Sequence, residues 1–224
     1  MPTSRYEQAL RRQGYCSIAG VDEAGRGALF GPVFAAAVVL NPDRPIRGLN
    51  DSKVLLPDRR TVLAARIRER AIAWAVGASD AFEIDHYNIL EASRRAMKRA
   101  IAALSPACDY LLIDAVKLAV DIPQRGLIHG DARSFSIAAA SILAKTARDA
   151  ALASWDAVFP GFGLASNKGY STPDHIAALR TLGPTPLHRF SFEPVRLSTG
   201  REDAWTGYPI KWSDRPAIQE ELFA

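Results

Sequence analysis

Four carboxylates stand where apolar runs of this 224-residue chain give way. Asp22 and Glu23 follow Ile18-Ala19-Gly20-Val21, Asp114 follows Leu111-Leu112-Ile113, and Asp131 lies three residues before Ser134, which can cap the strongest helical pattern in the chain. A carboxylate leaving a sheet near its core costs several kcal/mol unless it is paired or metal-bound. No Lys or Arg sits immediately beside Asp22 or Asp114 as a partner. Converging acids without His or Cys are hard oxygen donors, suited to Mg²⁺ or Mn²⁺ rather than zinc. Such a site can hold two divalent ions roughly 3.5–4 Å apart, clamping the attacking and leaving oxygens of an in-line phosphoryl displacement. Neighbours on a regular strand face opposite ways, so Asp22 and Glu23 are expected to join one cluster where the strand ends or bulges, with Gly25 and Gly27 supplying the freedom. Taken singly, each acid has a plainer reading as a turn residue or helix cap, Asp131 above all.

Three loop segments add candidates. Gly25-Arg26-Gly27 is too short for a dinucleotide fingerprint or a P-loop. It reads as a tight turn, or as a place where the main chain approaches a ligand while Arg26 meets a phosphate. Asp51-Ser52-Lys53 and Asn167-Lys168-Gly169-Tyr170 are polar, with lysines that are solvated by default. Tyr170 reads equally as a core aromatic with a wet hydroxyl.

Strands and helices must position these groups. Ser17 to Asp22 and Val33 to Leu40 read as strands joined by a hairpin, Trp74 to Ala78 as a further strand, and Tyr110 to Asp114 as a central strand closed by its acid. Helical spacing covers Pro57 to Ala73, Tyr87 to Leu104 and Ser134 to Trp155, the last with Lys145, Arg148 and Asp149 on its polar face, and a shorter helix follows Pro173. Beyond Gly183 the chain turns Pro-rich, and Leu197 to Ala224 reads as a tail. The interleaving gives an α/β class.

Composition sets the outer bounds. With 48% hydrophobic and 23% charged residues the chain is neither disordered nor collagen-like. At 24.3 kDa folding should leave about 10,000 Å² of about 35,000 Å² exposed, enough for one large core. Cys16 and Cys108, two isolated cysteines, argue against a disulfide scaffold or a structural zinc, and read as reduced, partly buried thiols. No apolar run approaches the roughly 20 residues of a membrane helix, so the cytoplasm is the expected location. The 28 basic residues against 24 acidic ones give a net charge of +4, a faint bias toward a polyanion.

The residues also resemble a known family. Gly20-Val-Asp-Glu-Ala-Gly-Arg-Gly-Ala-Leu-Phe-Gly-Pro-Val, Leu49-Asn-Asp-Ser-Lys, Leu112-Ile-Asp, Gly130-Asp-Ala-Arg-Ser, Ser136-Ile-Ala-Ala-Ala-Ser-Ile-Leu-Ala-Lys, Lys168-Gly-Tyr and His188-Arg-Phe-Ser-Phe, in that order, are similar to ribonuclease HII, the type 2 ribonucleases H. The match runs from about Ile18 to Pro194. It implies a ribonuclease H-like mixed sheet flanked by helices with a small C-terminal helical portion, in a catalytic domain over 1–196 followed by a tail over 197–224.

For the site, the resemblance implies metal binding and catalysis by Asp22, Glu23, Asp114 and Asp131, with two Mn²⁺ or Mg²⁺ ions. Gly25, Arg26 and Gly27 match the loop that contacts the ribonucleotide, and Tyr170 the tyrosine that stacks at the DNA–RNA junction and helps sense the 2′-OH, the group that distinguishes RNA from DNA. Lys53, Ser141 and Lys145 match phosphate contacts. The implied activity is hydrolysis of the RNA strand of RNA–DNA hybrids, and 5′ of single ribonucleotides in duplex DNA, leaving 3′-hydroxyl and 5′-phosphate ends. The alternatives are a ribonuclease H-like DNA nuclease or resolvase, and an inactive hybrid-binding module. Val54, His129 and Ser171 depart from the family's usual Lys, Lys and Gly; the first two remove fixed positive charge. Gln219 to Phe223 resembles the short peptide with which bacterial replication proteins bind the sliding clamp, its alternative being an amphipathic end packed on the chain itself. A monomer is expected, with no membrane partner.

Overall fold

The structure, a computed structural model, describes residues 2–200. Gln219 to Phe223, and the expected tail from residue 201 on, lie outside the described residues. The described residues fold as two compact units, one comprising residues 2–24, Phe34–Ala78 and Ser93–Ala147, the other Gly25–Val33, Ser79–Ala92 and residues 148–200.

The first unit is built on a five-stranded mixed sheet: β1 (Ile18–Ala24), β2 (Val33–Val39), β3 (Ala73–Ser79), β4 (Tyr110–Asp114) and β5 (Gln124–Leu127), in the order β3-β2-β1-β4-β5. β1 pairs antiparallel with β2, the expected hairpin, and parallel with β4, which pairs parallel with β5. The central strands are nearly continuous apolar runs, as strands covered on both faces must be. Ala36 and Val38 of β2 pack with Leu63, Ala64 and Ile67 of α2 (Pro57–Arg70) and with Ala138 to Ala144 of α5 (Phe135–Val158). Ile18, Leu112 and Leu127 pack with Tyr6 and Leu10 of α1 (Arg5–Arg11) and with Ile137.

The start of α5 is fixed against β1 at backbone distance. A Cβ on Gly20 would lie 2.0 Å from the carbonyl carbon of Ser136 and 2.3 Å from the nitrogen of Ile137, so only glycine lets the helix sit there. Ser134 caps the helix as expected, its Oγ accepting from the Ile137 N–H at 3.3 Å. Glu7 of α1 adds a carboxylate at the positive end of the helix; its Oε1 accepts from the Ser136 N–H at 2.9 Å and from the Ser134 and Ser136 hydroxyls.

In the second unit Phe30 is the hub, in edge-to-face contact with Trp155, Phe159 and His188. Leu29, Leu152, Phe162, Leu164, Leu179, Phe190 and Val195 close the core around it. They come from the Gly25–Val33 segment, the later part of α5, the short helix α6 (Leu164–Asn167), α7 (Pro173–Leu182) and α8 (Glu193–Ser198), with Phe162 and Phe190 in the connections before α6 and α8. The Leu29 N–H donates to Gly169 O at 2.7 Å, and the Arg189 N–H donates to Leu29 O at 2.8 Å, stitching the glycine-rich segment into this unit.

Some expectations change: the helix from Pro57 stops at Arg70 and Ala73 opens β3, while the span Tyr87 to Leu104 is divided between α3 (Ala81–Tyr87) and α4 (Ile89–Ala102). Cys16 is exposed rather than partly buried. Arg148, assigned to the polar face of α5, is fully buried.

Candidate active site

The carboxylates assemble within the first unit. β1 neither ends nor bulges at Asp22: the ladder to β2 continues through Asp22↔Ala36, Glu23↔Ala35 and Ala24↔Phe34. The period of two puts Asp22 on the face of Ile18 and Gly20, where α5 lies, and Glu23 on the other. β4 runs parallel beside β1 with Val21 opposite Ile113, so Asp114 follows Ile113 on β4 as Asp22 follows Val21 on β1. β5 leads through Ile128 and His129 into the 3-10 turn Gly130–Ala132, which carries Asp131. The Gly130 N–H donates to Asp114 Oδ1 at 2.7 Å, tying the two acid-bearing segments together.

Asp22 is 5% exposed and Asp131 6%. Burial pushes the Asp22 carboxyl well above the usual carboxylate range, and the charges of Glu23 and Asp114 push it further, against hydrogen bonds from Ser141 and the Glu23 N–H. Asp131 is pushed up by burial, then by Asp51 and Asp114, against Lys53 and the Ala132 N–H. Lys53 answers this field: its own desolvation lowers its pKa, but Asp51, Asp131, Asp22 and Asp114 outweigh that and raise it. The basic partner absent beside Asp22 and Asp114 in sequence is thus brought in by folding. Arg60 holds the loop that carries it, donating through Nη1 to Ser52 O at 2.8 Å and Leu55 O at 2.9 Å.

Ser141, on the inner face of α5, hydrogen-bonds the Asp22 carboxylate and Ser52 Oγ, the latter 2.9 Å away. Lys145 stands one helical turn further on. Asp51 and Ser52 entered the sequence reading only as part of the polar segment Asp51-Ser52-Lys53, with no role of their own; the one signal for them was their place immediately before a candidate phosphate contact.

These acids fit divalent cations by chemistry: every donor is a hard oxygen, with Asp22 and Asp131 buried and Glu23 and Asp114 half-buried. Cations would neutralise a repulsion the protein otherwise bears. Among the described residues, no three His, Cys, Asp or Glu side chains stand together as a group that could hold a metal ion, so the fit to cations rests on donor chemistry alone.

The remaining candidates lie in the second unit. Gly25 has φ +93°, and a Cβ there would fall 2.0 Å from Arg148 Nε, so glycine is required on both counts. Around Gly27 nothing lies within 4 Å of a Cβ position, leaving its main chain open to approach. The carbonyl of Arg26 accepts from Arg189 Nη1 at 2.7 Å. Tyr170 is 38% exposed rather than a core aromatic, and the buried Arg148 guanidinium lies 5.3 Å from its ring centroid. Arg148 also donates to Lys168 O at 2.8 Å and Phe30 O at 3.3 Å. Burial pulls its pKa down, offset by Tyr170 and Asp149. Arg148 is a residue that sequence reasoning missed, because helical periodicity alone assigns a charged side chain to solvent.

The sequence model of the family Ribonuclease HII matches residues 19–195. A ribonuclease HII of Solibacter usitatus is 64% identical over 190 residues, covering 85% of this chain and 83% of that protein. One of Moorella thermoacetica is 57% identical, covering 84% and 92%. Among solved structures, ribonuclease H2 of Pyrococcus horikoshii superposes with a TM-score of 0.71 at 25% identity, over 83% of this chain and 98% of that one. The match over most of the chain also takes in every carboxylate of the site, so the chain belongs to the ribonuclease HII family, endoribonucleases that act on RNA–DNA hybrids.

Proposed function

We propose that the protein cuts the RNA strand of hybrids, and the 5′ side of single ribonucleotides embedded in duplex DNA, leaving 3′-hydroxyl and 5′-phosphate ends. The observation that carries this reading is the charge of Glu23 and Asp114 on the buried Asp22 and of Asp114 on the buried Asp131, tied to Asp114 through the Gly130 N–H, with Lys53 held in the same field. Asp22, Glu23, Asp114 and Asp131 would hold two divalent ions, Mg²⁺ or Mn²⁺, which when bound supply Lewis-acid stabilisation of the phosphoryl oxygens. Lys53, with Ser141 and Lys145 on α5, holds the substrate phosphates. Gly25, Arg26 and Gly27 offer main-chain and guanidinium contacts to the ribonucleotide, and Tyr170 offers one ring face to a sugar or base while Arg148 supports the ring.

A structural relative is a complex of PCNA with ribonuclease HII from Archaeoglobus fulgidus. In line with it, we assign clamp binding to the peptide Gln219 to Phe223.

The test is a cleavage assay on a duplex containing one ribonucleotide, on a long hybrid and on an all-DNA duplex, with Mg²⁺ and Mn²⁺ in parallel. The first two are cut and the third is not. Asp22→Asn and Asp114→Asn each lower the rate by about 10³-fold or more, since electrostatic stabilisation of the transferring group carries most of the acceleration. Equal cutting of all-DNA duplex would replace this reading with a DNA nuclease.

A further inference from the structure

Beneath Tyr170 two buried histidines are joined ring to ring. His175 Nε2 and His188 Nε2 lie 3.1 Å apart, and both residues are fully buried. The outer nitrogen of each ring meets a partner whose role is fixed. His175 Nδ1 is 2.9 Å from the carbonyl oxygen of Tyr170, which can only accept. His188 Nδ1 is 2.9 Å from the Thr185 N–H, which can only donate.

These two ends determine every proton between them. His175 must carry its hydrogen on Nδ1, leaving Nε2 bare, and His188 must leave Nδ1 bare and carry its hydrogen on Nε2. The single hydrogen at the ring-to-ring contact therefore belongs to His188, and the chain runs one way: Thr185 N–H to His188, His188 to His175, His175 to the Tyr170 carbonyl. The Thr185 hydroxyl, 3.0 Å from the same bare Nδ1, donates as well.

We propose that His175 and His188 are positioning residues for Tyr170, a neutral imidazole relay that fixes the Tyr170 main chain and thereby the angle its ring presents to the nucleotide. Tyr170 O also accepts from the Thr172 N–H at 2.8 Å, so both its lone pairs are held and the peptide plane is locked. His175 itself is seated in the first turn of α7, whose cap Thr172 accepts from its N–H at 3.3 Å. The ring of Phe162 packs against both imidazoles and that of Phe30 against His188, keeping water from the contact.

A second proton on either ring breaks the relay. On His175 it would set N–H against N–H at the ring-to-ring contact; on His188 it would face the Thr185 N–H. The surroundings oppose both events: burial, then His175, pulls His188 down to about 3, and burial lowers His175. The charged groups buried in the same unit are Arg148, Arg189 and Asp85, of which Asp85 is committed to the Phe190 and Ser191 N–H groups.

The consequence for cleavage rests on the proposed contact between Tyr170 and substrate, and two measurements separate the claims. Nitrogen-15 NMR of the wild-type imidazoles should show His175 as the Nδ1–H tautomer and His188 as the Nε2–H tautomer, both unchanged from about pH 7 to about pH 5. The opposite tautomer at either ring, or titration near the ordinary histidine value, overturns the relay.

A double-mutant cycle on the single-ribonucleotide duplex tests its purpose. His175→Phe, which keeps ring volume but removes the donor, should lower kcat/KM about tenfold in the parent and less than about twofold in a Tyr170→Ala background. His175→Asn, whose side-chain NH₂ replaces Nδ1–H, should recover most of the loss. An equal loss in both backgrounds makes His175 a structural residue only and overturns the positioning role. Normal cleavage by Tyr170→Ala alone would fail the substrate reading of Tyr170, and the proposed consequence with it, while the tautomers still decide whether the relay exists.

Discussion

At Asp22 burial and two neighbouring acids oppose the charged form. Removing that charge should separate function from stability. Asp22→Asn keeps the shape and an oxygen able to accept from the Glu23 N–H, which now reaches Oδ1 at 2.8 Å. It loses the buried repulsion along with the cation site. In EDTA the variant is therefore expected to melt above the parent, by about 2–4 °C for each kcal/mol of repulsion relieved, while cleaving nothing. Calorimetry with and without Mg²⁺ checks this: the gap should narrow when the metal stabilises the parent, and a variant less stable in EDTA would show that Asp22 repays its burial without a cation. Asp22, Asp114 and Asp131 were legible in the sequence because an acid closing an apolar run, or preceding a helix cap, is a local signal. Lys53 as their counter-charge, and Ser52 beside Ser141, were not, because the serines meet across 89 residues of chain and no local pattern reports a tertiary contact. The His175–His188 contact is of the same kind: His188 opens one of the family motifs, but nothing local pairs it with His175.

At the scale of elements, β4 was read from the sequence over the span it occupies, and α5 to within one residue at its start, because unbroken apolar runs and a long 3.6-residue period are strong signals. Less visible were α1 and β5. β5, Gln124–Leu127, is short and mostly polar, and belongs to the sheet because β4 offers it a parallel edge. The helix α3 (Ala81–Tyr87) carries a capping box from Asp80 and Glu83 that the sequence did display. The expected interruption of β1 at Asp22 does not occur, because β2 continues to pair with it through Ala24. What most constrains these elements is the approach of α5 to β1 at Gly20. Any side chain there meets backbone on the helix, which no rotamer change relieves, so Gly20→Ala should cost about 3 kcal/mol, at or above the upper end for overpacking. Urea unfolding gives the loss directly. Because Ser141 on α5 and Asp22 on β1 depend on the same approach, the surviving folded fraction should also cleave slowly. A Gly20→Ala protein with unchanged midpoint would mean that the helix can lift away at little cost.

For the whole molecule the net charge of +4 says little about partners, whereas the placement of buried ionisable groups says how stability must depend on pH. His188 has its pKa lowered to about 3, and that of His175 is lowered too. Above the free-histidine value of about 6.5 both rings are neutral whether the chain is folded or not. As pH falls below it, the unfolded chain binds protons that the folded chain refuses, so their contribution to stability is full above 6.5 and is lost toward about 3. Asp22 and Asp131 act in the other direction. Their carboxyls are raised in the folded chain, so the stability they contribute is present at low pH and is lost as pH rises through those raised values. Divalent cations compete with the protons on the acids and do not touch the histidines. In Mg²⁺ the histidine effect should therefore dominate: the denaturant midpoint should fall from about pH 7 to about pH 5, and His188→Gln, which cannot titrate, should flatten that fall. A midpoint that holds constant across this range in Mg²⁺, or an equal slope in His188→Gln, would mean that the buried imidazoles accept protons in place, and with them that the hydrogen-bond chain under Tyr170 does not require neutrality.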